Sequence, residues 1–300
     1  MRTRPTKITR HFALIDVENY CFRLGHITKS RKLPIRLVIK WFLRDIQNLR
    51  HMLPEPLAGF AFCFDSRDPE RKRFFLDYKS SRVRDSFYWH LRELIDQIRL
   101  DVLPKLGFKN VFYDEGYEAD DQIAMCCANR RADDQHIICS NDQDYYQLLR
   151  HFAVSIWDPR TKKMRTQEWL EKKHSTGLNE WFMARVFSGD PGDNIPSVLG
   201  PVTALKYVKN ILNHRAKTYK YAESPEARNL YNRNYALMKL PNPRLVERDR
   251  VLRSEPYDQK VWNSVCGKLG YLDLQDHSYV QPDSTNLEAA TGRGMGGREG

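Results

Sequence analysis

Short apolar segments alternate with longer amphipathic segments through the first half of this 300-residue chain. Five of the short segments have the length and composition of buried strands, and they cover residues 11–17, 58–65, 109–113, 135–140 and 153–157. Between them, apolar residues recur at helical spacing over residues 34–50, 86–106 and 117–127. Strands that alternate with helices are typical of a parallel sheet with helices on its faces. The pattern therefore predicts an α/β fold.

Acidic residues follow the predicted strands at the point where each strand ends, and two more stand where the pattern changes near residue 190. There are nine of them: Asp16, Asp65, Glu118, Asp120, Asp121, Asp142, Asp144, Asp190 and Asp193. Functional residues of an open α/β sheet collect outside the carboxyl ends of its strands. We therefore expect the first seven to share one edge of the sheet.

Carboxylates crowded in this way repel one another unless cations hold them together. Oxygen donors without His or Cys suit hard ions such as Mg²⁺ or Mn²⁺. Two such ions about 4 Å apart can stabilise both the attacking and the leaving oxygen of a phosphodiester. A single Asp after a strand is more often a helix cap or a turn residue. Acidic residues nevertheless stand at five places where a strand ends or the helical part begins, in a chain of net charge +11. This repetition favours metal binding.

The charge balance also restricts the class of protein. Lys and Arg number 49 against 38 Asp and Glu, which favours an anionic partner, first of all nucleic acid. The sequence lacks an apolar stretch near the ~20 residues that a membrane span needs, and its basic N-terminus lacks the apolar core of a secretory signal. The six cysteines form no regular framework, which is typical of a reduced, cytoplasmic protein.

Residues 71–92 combine seven Lys and Arg with six aromatic residues. This mixture suits a single nucleic-acid strand, because cations neutralise phosphates while rings stack on bases. The alternative is a solvated helix face whose aromatic residues pack inward. Lys79 and Arg82 follow the second strand, so we expect them near Asp65. The candidate DNA contacts in this segment are Arg71, Tyr78 and Arg84.

The pattern changes after about residue 180, where helical segments and turns replace the strands. Residues 201–260 hold 13 Lys and Arg against 6 Asp and Glu, which predicts a basic helical lobe. A glycine turn at Gly200 precedes an amphipathic helix, and such a turn presents backbone N–H groups to a phosphate. Gly200, Thr203 and Lys206 are therefore further candidate DNA contacts.

Taken together, the motifs resemble those of the 5′-nuclease family, which includes phage 5′→3′ exonucleases, the exonuclease domain of bacterial DNA polymerase I and flap endonucleases. They appear in family order over about residues 11–212. The motifs are Leu-Ile-Asp16-Val-Glu-Asn, Phe-Cys-Phe-Asp65, Arg71 followed by Tyr78-Lys79-Ser-Ser-Arg82, Glu118-Ala-Asp-Asp, Ser-Asn-Asp142-Gln-Asp and Gly-Asp190-Pro-Gly-Asp-Asn-Ile-Pro.

The resemblance implies a PIN-like parallel-sheet core over residues 1–180, with a short helical arch near 70–100. It also implies a helix–three-turn–helix lobe that binds DNA over residues 181–280, and we expect residues 281–300 to be a disordered tail. In the helix–hairpin–helix motif, Val202 stands where the family usually has lysine, which leaves the strength of duplex binding there open.

The family also implies two or more Mg²⁺ ions, for which Mn²⁺ can substitute. Lys79 and Arg82 match the residues that hold the scissile phosphate, and Asp121 and Asp190 would lie in outer positions. The first ion would be surrounded by Asp16, Asp65, Glu118 and Asp120, and the second by Asp142, Asp144 and Asp193.

The implied function is a two-metal 5′→3′ exodeoxyribonuclease or flap endonuclease of DNA replication or repair. Its substrate would be DNA with a 5′ end or 5′ flap, extended to RNA primers in an RNA–DNA hybrid. It would act in the cytosol of a bacterium or phage-infected host, without a membrane, and a polymerase or single-strand-binding protein could be its partner. One alternative is a PIN-type ribonuclease, which needs only the first acidic cluster. The other is a catalytically inactive structure-specific DNA-binding protein, which the presence of all nine carboxylates argues against.

Overall fold

A computed structural model describes residues 7–212, 224–255 and 257–275 of the protein. Its sheet has six strands: β1 (Arg10–Asp16), β2 (Leu57–Cys63), β3 (Val111–Phe112), β4 (Asp134–Cys139), β5 (Val154–Asp158) and β6 (Lys163–Arg165). They lie in the order β3-β2-β1-β4-β5-β6, and the first five pair in parallel. The predicted parallel α/β sheet is confirmed. The antiparallel edge strand β6 is absent from the sequence-based prediction, because it is three residues long and two of them are charged.

Eleven α-helices occur in the described ranges: α1 (Val17–Ser30), α2 (Leu37–Met52), α3 (Glu70–Phe74), α4 (Ser86–Gln97), α5 (Leu103–Lys105), α6 (Ala119–Ala128), α7 (Gln167–His174), α8 (Leu178–Ser188), α9 (Pro201–Leu212), α10 (Pro225–Met238) and α11 (Gln259–Lys268). A π-helical turn over Ile98–Val102 joins α4 to α5, so the helix predicted over 86–106 is one continuous helical stretch. Helices α2 and α6 confirm the other two periodic segments to within a few residues.

Helix α1 does not appear in the sequence-based prediction. Its buried face mixes apolar residues with Glu18, Gly25 and Thr28, which obscures the apolar periodicity. The helix also begins directly after β1, without a loop to mark the boundary. Asp16 makes this possible, because its side chain accepts a hydrogen bond from the amide of Asn19 at 3.0 Å and so caps the helix.

Both faces of the sheet are covered. In the central strand β1, Ala13 and Ile15 face a core that includes residues of α1, α2 and α4, whereas Phe12 and Leu14 face a core that includes residues of α6. All four side chains are completely buried. This alternation follows from the two-residue period of a strand, and burial on both faces is typical of a parallel sheet.

The chain after residue 180 contributes to more than one core. Residues of α8, α9 and α10 form their own buried cluster, which includes Phe187 and Tyr207. Helix α11, in contrast, places Trp262 and Cys266 in the same cluster as Phe42 of α2.

The domain division at residue 180 stays a prediction, and the predicted tail over 281–300 lies outside the described residues. Within the described ranges, no helix combines the length and apolarity that crossing a membrane requires.

Candidate metal centre

The carboxyl ends of β1 and β2 bring Asp16 and Asp65 to the same edge of the sheet. Asp16 accepts hydrogen bonds from the Tyr145 hydroxyl at 2.9 Å and from the Asn19 amide. Asp65 accepts one from the amide of Ala119, the first residue of α6, at 2.7 Å. These bonds fix both carboxylates at the start of a helix, where the helix dipole favours negative charge.

Glu118 immediately precedes α6 and is surrounded by donors. Its carboxylate accepts hydrogen bonds from Lys79 Nζ at 2.5 Å, Arg71 Nη1 at 2.8 Å and the Tyr78 hydroxyl at 3.1 Å. Burial opposes ionisation here, but Lys79 and Arg71 lower the pKa of Glu118 to about 2. Glu118 is therefore ionised throughout the physiological pH range.

Asp142 and Asp144 follow β4 and face the loop that begins at Gly189. The amide of Asp144 donates to the Asp142 carboxylate at 2.9 Å, which holds this turn. Arg185 in α8 donates to Asp144 at 3.2 Å and to Asp190 at 2.7 Å. Arg185 therefore links the acidic residues after β4 to those of the loop.

The loop over residues 189–195 closes on itself tightly. The amide and carbonyl of Asp190 pair with the carbonyl and amide of Ile195 at 2.9 and 2.8 Å. Gly189 has φ of +65°, and a Cβ there would lie 2.4 Å from the Ile195 carbonyl oxygen, so glycine is required. The tight turn directs Asp193 toward Arg82, with which it forms an ion pair at 2.5 Å.

These segments together line an open cleft of about 730 Å³. Eight of the nine predicted carboxylates line it, namely Asp16, Asp65, Glu118, Asp120, Asp142, Asp144, Asp190 and Asp193. Lys79 and Arg82 line the same cleft. Because these acidic donors are carboxylate oxygens, the cleft fits a hard divalent cation. The assignment of individual residues to two ions stays a prediction.

Asp121 is the predicted carboxylate that does not line the cleft. Single ligand atoms of Glu118, Asp120 and Asp121 lie within 4.8 Å of one another, a spacing that could hold a metal ion. Here the guanidinium of Arg71 contacts all three carboxylates and binds Asp121 through both terminal nitrogens, at 2.6 and 2.9 Å. In this structure Asp121 binds Arg71. The expectation that Asp121 lies near a metal ion without binding it directly stays a prediction.

Two of the predicted DNA contacts, Arg71 and Tyr78, have buried side chains in this structure. Arg71 is 1% exposed and also donates to the carbonyl of Leu237 at 2.7 Å. Tyr78 is 3% exposed, with its hydroxyl on Glu118. Both side chains contact carboxylates of the site here, and their contact with DNA stays a prediction. Burial of the Tyr78 ring agrees with the alternative in which the aromatic residues of this segment pack inward, whereas Arg71 is not on a solvated face.

The remaining predicted DNA contacts lie on the surface, outside the residues that line the cleft. Arg84 is exposed just before α4. Gly200 precedes α9, and Thr203 and Lys206 are exposed on that helix. Spacing of three residues puts Thr203 and Lys206 on one helical face. Their contact with DNA stays a prediction.

Two carboxyl groups of the cleft have raised pKa values. Burial, together with repulsion from Asp65 and Asp142, raises the pKa of Asp16 to about 7. Burial and repulsion from Asp142 likewise raise the pKa of Asp144 to about 7. Burial and the neighbouring carboxylates thus both oppose ionisation of these two groups.

Sequence reasoning missed two charged residues at the site. Glu18 lines the cleft, is 5% exposed and pairs with Arg92 at 3.0 Å. The sequence feature that could have identified Glu18 is its position, two residues after Asp16 at the end of a predicted strand. Arg185 was missed as well, although it stands one helical turn before the Gly189-Asp190 turn.

The amino-acid sequence matches a family model over residues 11–175, and the model is described as the 5′-3′ exonuclease, N-terminal resolvase-like domain. The chain belongs to the 5′-3′ exonuclease family. This confirms the resemblance drawn from the motifs. The thermostable DNA polymerase I of Thermus thermophilus is 30% identical over 197 residues, and that of Caldicellulosiruptor bescii, DNA polymerase I, is 28% identical over 188. These alignments cover 63% and 60% of this chain, but the chain spans only 22% and 21% of the two polymerases.

Solved structures show the same fold. The phage T5 D15 protein, crystallised with metal ions, has a TM-score of 0.62 and 20% identity, covering 89% of this chain and 100% of its own. Human GEN1 in complex with Holliday junction DNA has a TM-score of 0.52 and 16% identity, covering 86% and 67%. The likeness extends beyond the range of the family model into the helical part of the chain.

The position of Arg71 predicts a strong effect on stability. Replacing Arg71 by alanine would leave buried carboxylates without their counter-charge, which costs about 3–5 kcal/mol of unfolding free energy. Urea denaturation would measure this loss. The matched control is Arg73→Ala, because Arg73 is half-exposed on the same short helix and pairs with Asp68 at the surface. Its midpoint should not change, and equal midpoints for both variants would contradict the role assigned to Arg71.

The pKa values of Asp16 and Asp144 predict a pH-dependent response to divalent cations. Their folded-state pKa of about 7 exceeds the ordinary 3.8, so the metal-free folded protein loses stability as the pH rises through that window. Metal binding requires the deprotonated forms, so Mg²⁺ should raise the melting temperature more at about pH 8 than at about pH 6. Differential scanning calorimetry would measure the difference, with KCl at equal ionic strength as control. A larger Mg²⁺ shift at the lower pH would contradict this expectation.

Proposed function

We propose that this chain is a metal-dependent 5′ nuclease that hydrolyses DNA phosphodiester bonds. The observation that carries the proposal is the cleft, in which eight carboxylates from separate chain segments meet two cations at the rim. Membership in the 5′-3′ exonuclease family supports it. Since the chain spans about a fifth of its polymerase relatives, the proposal concerns the nuclease activity alone.

The carboxylates would hold two Mg²⁺ ions, with Mn²⁺ as a substitute. Bound there, the ions would supply charge stabilisation and an activated water for attack on phosphorus. The elevated pKa values of Asp16 and Asp144 are consistent with this, because a divalent cation would stabilise carboxylates whose ionisation is opposed by burial and by repulsion from their neighbours. We assign one ion to Asp16, Asp65, Glu118 and Asp120, and the other to Asp142, Asp144 and Asp193. Asp121 and Asp190 would lie near the ions without coordinating them directly.

Lys79 and Arg82 would hold the scissile phosphate. In the structure they pair with Glu118 and Asp193, respectively. Their side chains are 19% and 53% exposed, so a phosphate entering the cleft can reach both. The flexible lysine and the forked guanidinium can exchange a carboxylate for a phosphate oxygen without refolding of the chain.

The substrate would be DNA with a 5′ end or 5′ flap. The net charge of +11 supports a polyanionic partner. A DNA and metal complex of the T5 D15 flap endonuclease shares this fold, at a TM-score of 0.60 and 20% identity. We extend the proposal to RNA–DNA hybrids, because the proposed contacts of Lys79 and Arg82 are to phosphate. The phosphate group is common to DNA and RNA. The polymerase relatives support a role in replication alongside a polymerase, in the cytosol of a bacterium or phage-infected host.

The decisive experiment compares cleavage of a 5′-flapped DNA duplex and of a matching RNA, with Mg²⁺ and with chelator. The double variant Asp142→Asn/Asp144→Asn should lose at least ~10²-fold in rate, since two carboxylates of one ion are neutralised. Its DNA binding should persist or tighten, because the repulsion of phosphate weakens. The control is Asp133→Asn, at the opposite edge of the sheet before β4.

Cleavage of RNA alone would favour the PIN-type ribonuclease. DNA binding without cleavage by the unmodified chain would favour an inactive binding protein. Cleavage by the double variant at the unmodified rate would refute the metal assignment.

Lys79 has its own prediction. Lys79→Met keeps the length of the side chain but removes the ammonium group that would face charge developing on the phosphate. Loss of such a preorganised donor costs about 10²–10³-fold in rate. The single-turnover rate at saturating enzyme should fall by this factor while the DNA dissociation constant changes little. Lys105→Met, on an exposed lysine paired with Asp101, is the matched control. Weaker binding with an unchanged rate would mean that Lys79 merely contacts phosphate.

A further inference from the structure

Hydrogen bonds join residues 79–82 to residues 193–194, and we call this set the arch–loop bridge. The amide of Lys79 donates to the carbonyl of Asp193 at 3.0 Å. The amide and hydroxyl of Ser81 both donate to Oδ1 of Asn194, at 3.2 and 2.7 Å. Arg82 adds its ion pair with the Asp193 carboxylate. Segments 113 positions apart in sequence are thereby held as one unit.

The backbone is left-handed on both sides of the bridge. Lys79 has φ of 54° and Asn194 has φ of 59°. Asparagine tolerates this region because its short side chain can bond locally, whereas lysine does not favour it. A strained residue persists only where its surroundings hold it, and such residues cluster at functional sites. The bridge supplies that restraint, since the Lys79 amide is bonded to the loop that carries Asn194.

We propose that Asn194 is a positioning residue for cleavage, a role that rests on the proposed nuclease function. Its carboxamide oxygen holds Ser81, which lies between the two cations that would contact the scissile phosphate. The adjacent Asp193 lines the cleft from the same loop. Asn194 thus keeps the phosphate-binding cations in register with the carboxylates, and a shift of about 1 Å in such a site can cost about 10²-fold in rate.

The chain offers variants that separate this role from a structural one. Asn194→Gly removes both hydrogen bonds to Ser81 and keeps the backbone conformation, because glycine adopts positive φ without strain. Ser81→Ala removes only the hydroxyl bond. Ser80→Ala is the matched control, since Ser80 is the exposed neighbour and its side chain takes no part in the bridge.

The first test is single-turnover cleavage of a 5′-flapped duplex by the full chain with Mg²⁺. We expect Asn194→Gly to lose about 10- to 100-fold in rate and Ser81→Ala less, with dissociation constants within about threefold. Ser80→Ala should match the unmodified chain. Cleavage by Asn194→Gly at the unmodified rate, or an equal loss in affinity and rate, would overturn the positioning role.

The second test is amide hydrogen exchange, which does not depend on activity. In Asn194→Gly the amides of Lys79 and Ser81 should exchange at least about tenfold faster, while amides in the sheet keep their protection. Unchanged exchange at both amides would overturn the bridge itself. If the unmodified chain cleaves no substrate, the proposed function fails instead, and exchange still decides whether Asn194 holds this segment.

Discussion

Repulsion between carboxylates at one edge of the sheet is the constraint on which the rest of the site depends. The parallel strands β1, β2 and β4 all end at that edge, so their acidic residues meet in one cleft. Arg71, Lys79 and Arg185 offset part of the charge through direct ion pairs. Burial, together with repulsion from neighbouring carboxylates, raises the pKa of Asp16 and Asp144 to about 7. Divalent cations bound in the cleft, as proposed, would therefore be expected to stabilise the fold.

The cations around the cleft divide into two kinds by burial. Arg71 is enclosed by three carboxylates and two backbone carbonyls, so it holds the acidic residues permanently. Lys79 and Arg82 are more exposed, and in the proposed function a phosphate would displace their carboxylate partners. The arch–loop bridge connects these two cations to the loop that carries Asp193. In the proposed function, binding of a phosphate would therefore be linked to the placement of Asp193.

Much of this site was predictable because its signals are local. A strand that ends in Asp, as at Asp16, or a helix that begins Glu118-Ala-Asp-Asp is visible in a few consecutive residues. The order of such motifs along the chain is sufficient to indicate the family. Helix α1 and strand β6 escaped prediction for the converse reason, since their local patterns are weak and neighbouring elements stabilise them.

The spacing of apolar residues and the residue types at strand ends are properties of neighbouring residues. They were sufficient to predict the parallel sheet, three of its flanking helical segments and eight carboxylates of the cleft. The orientation of each charged side chain depends instead on contacts between distant segments. Arg71 turns inward because Leu237 accepts from its Nε, and Asp121 is occupied partly because the amide of Asn242 donates to it. Those partners are 166 and 121 positions away, so the buried role of Arg71 arises only from the folded chain.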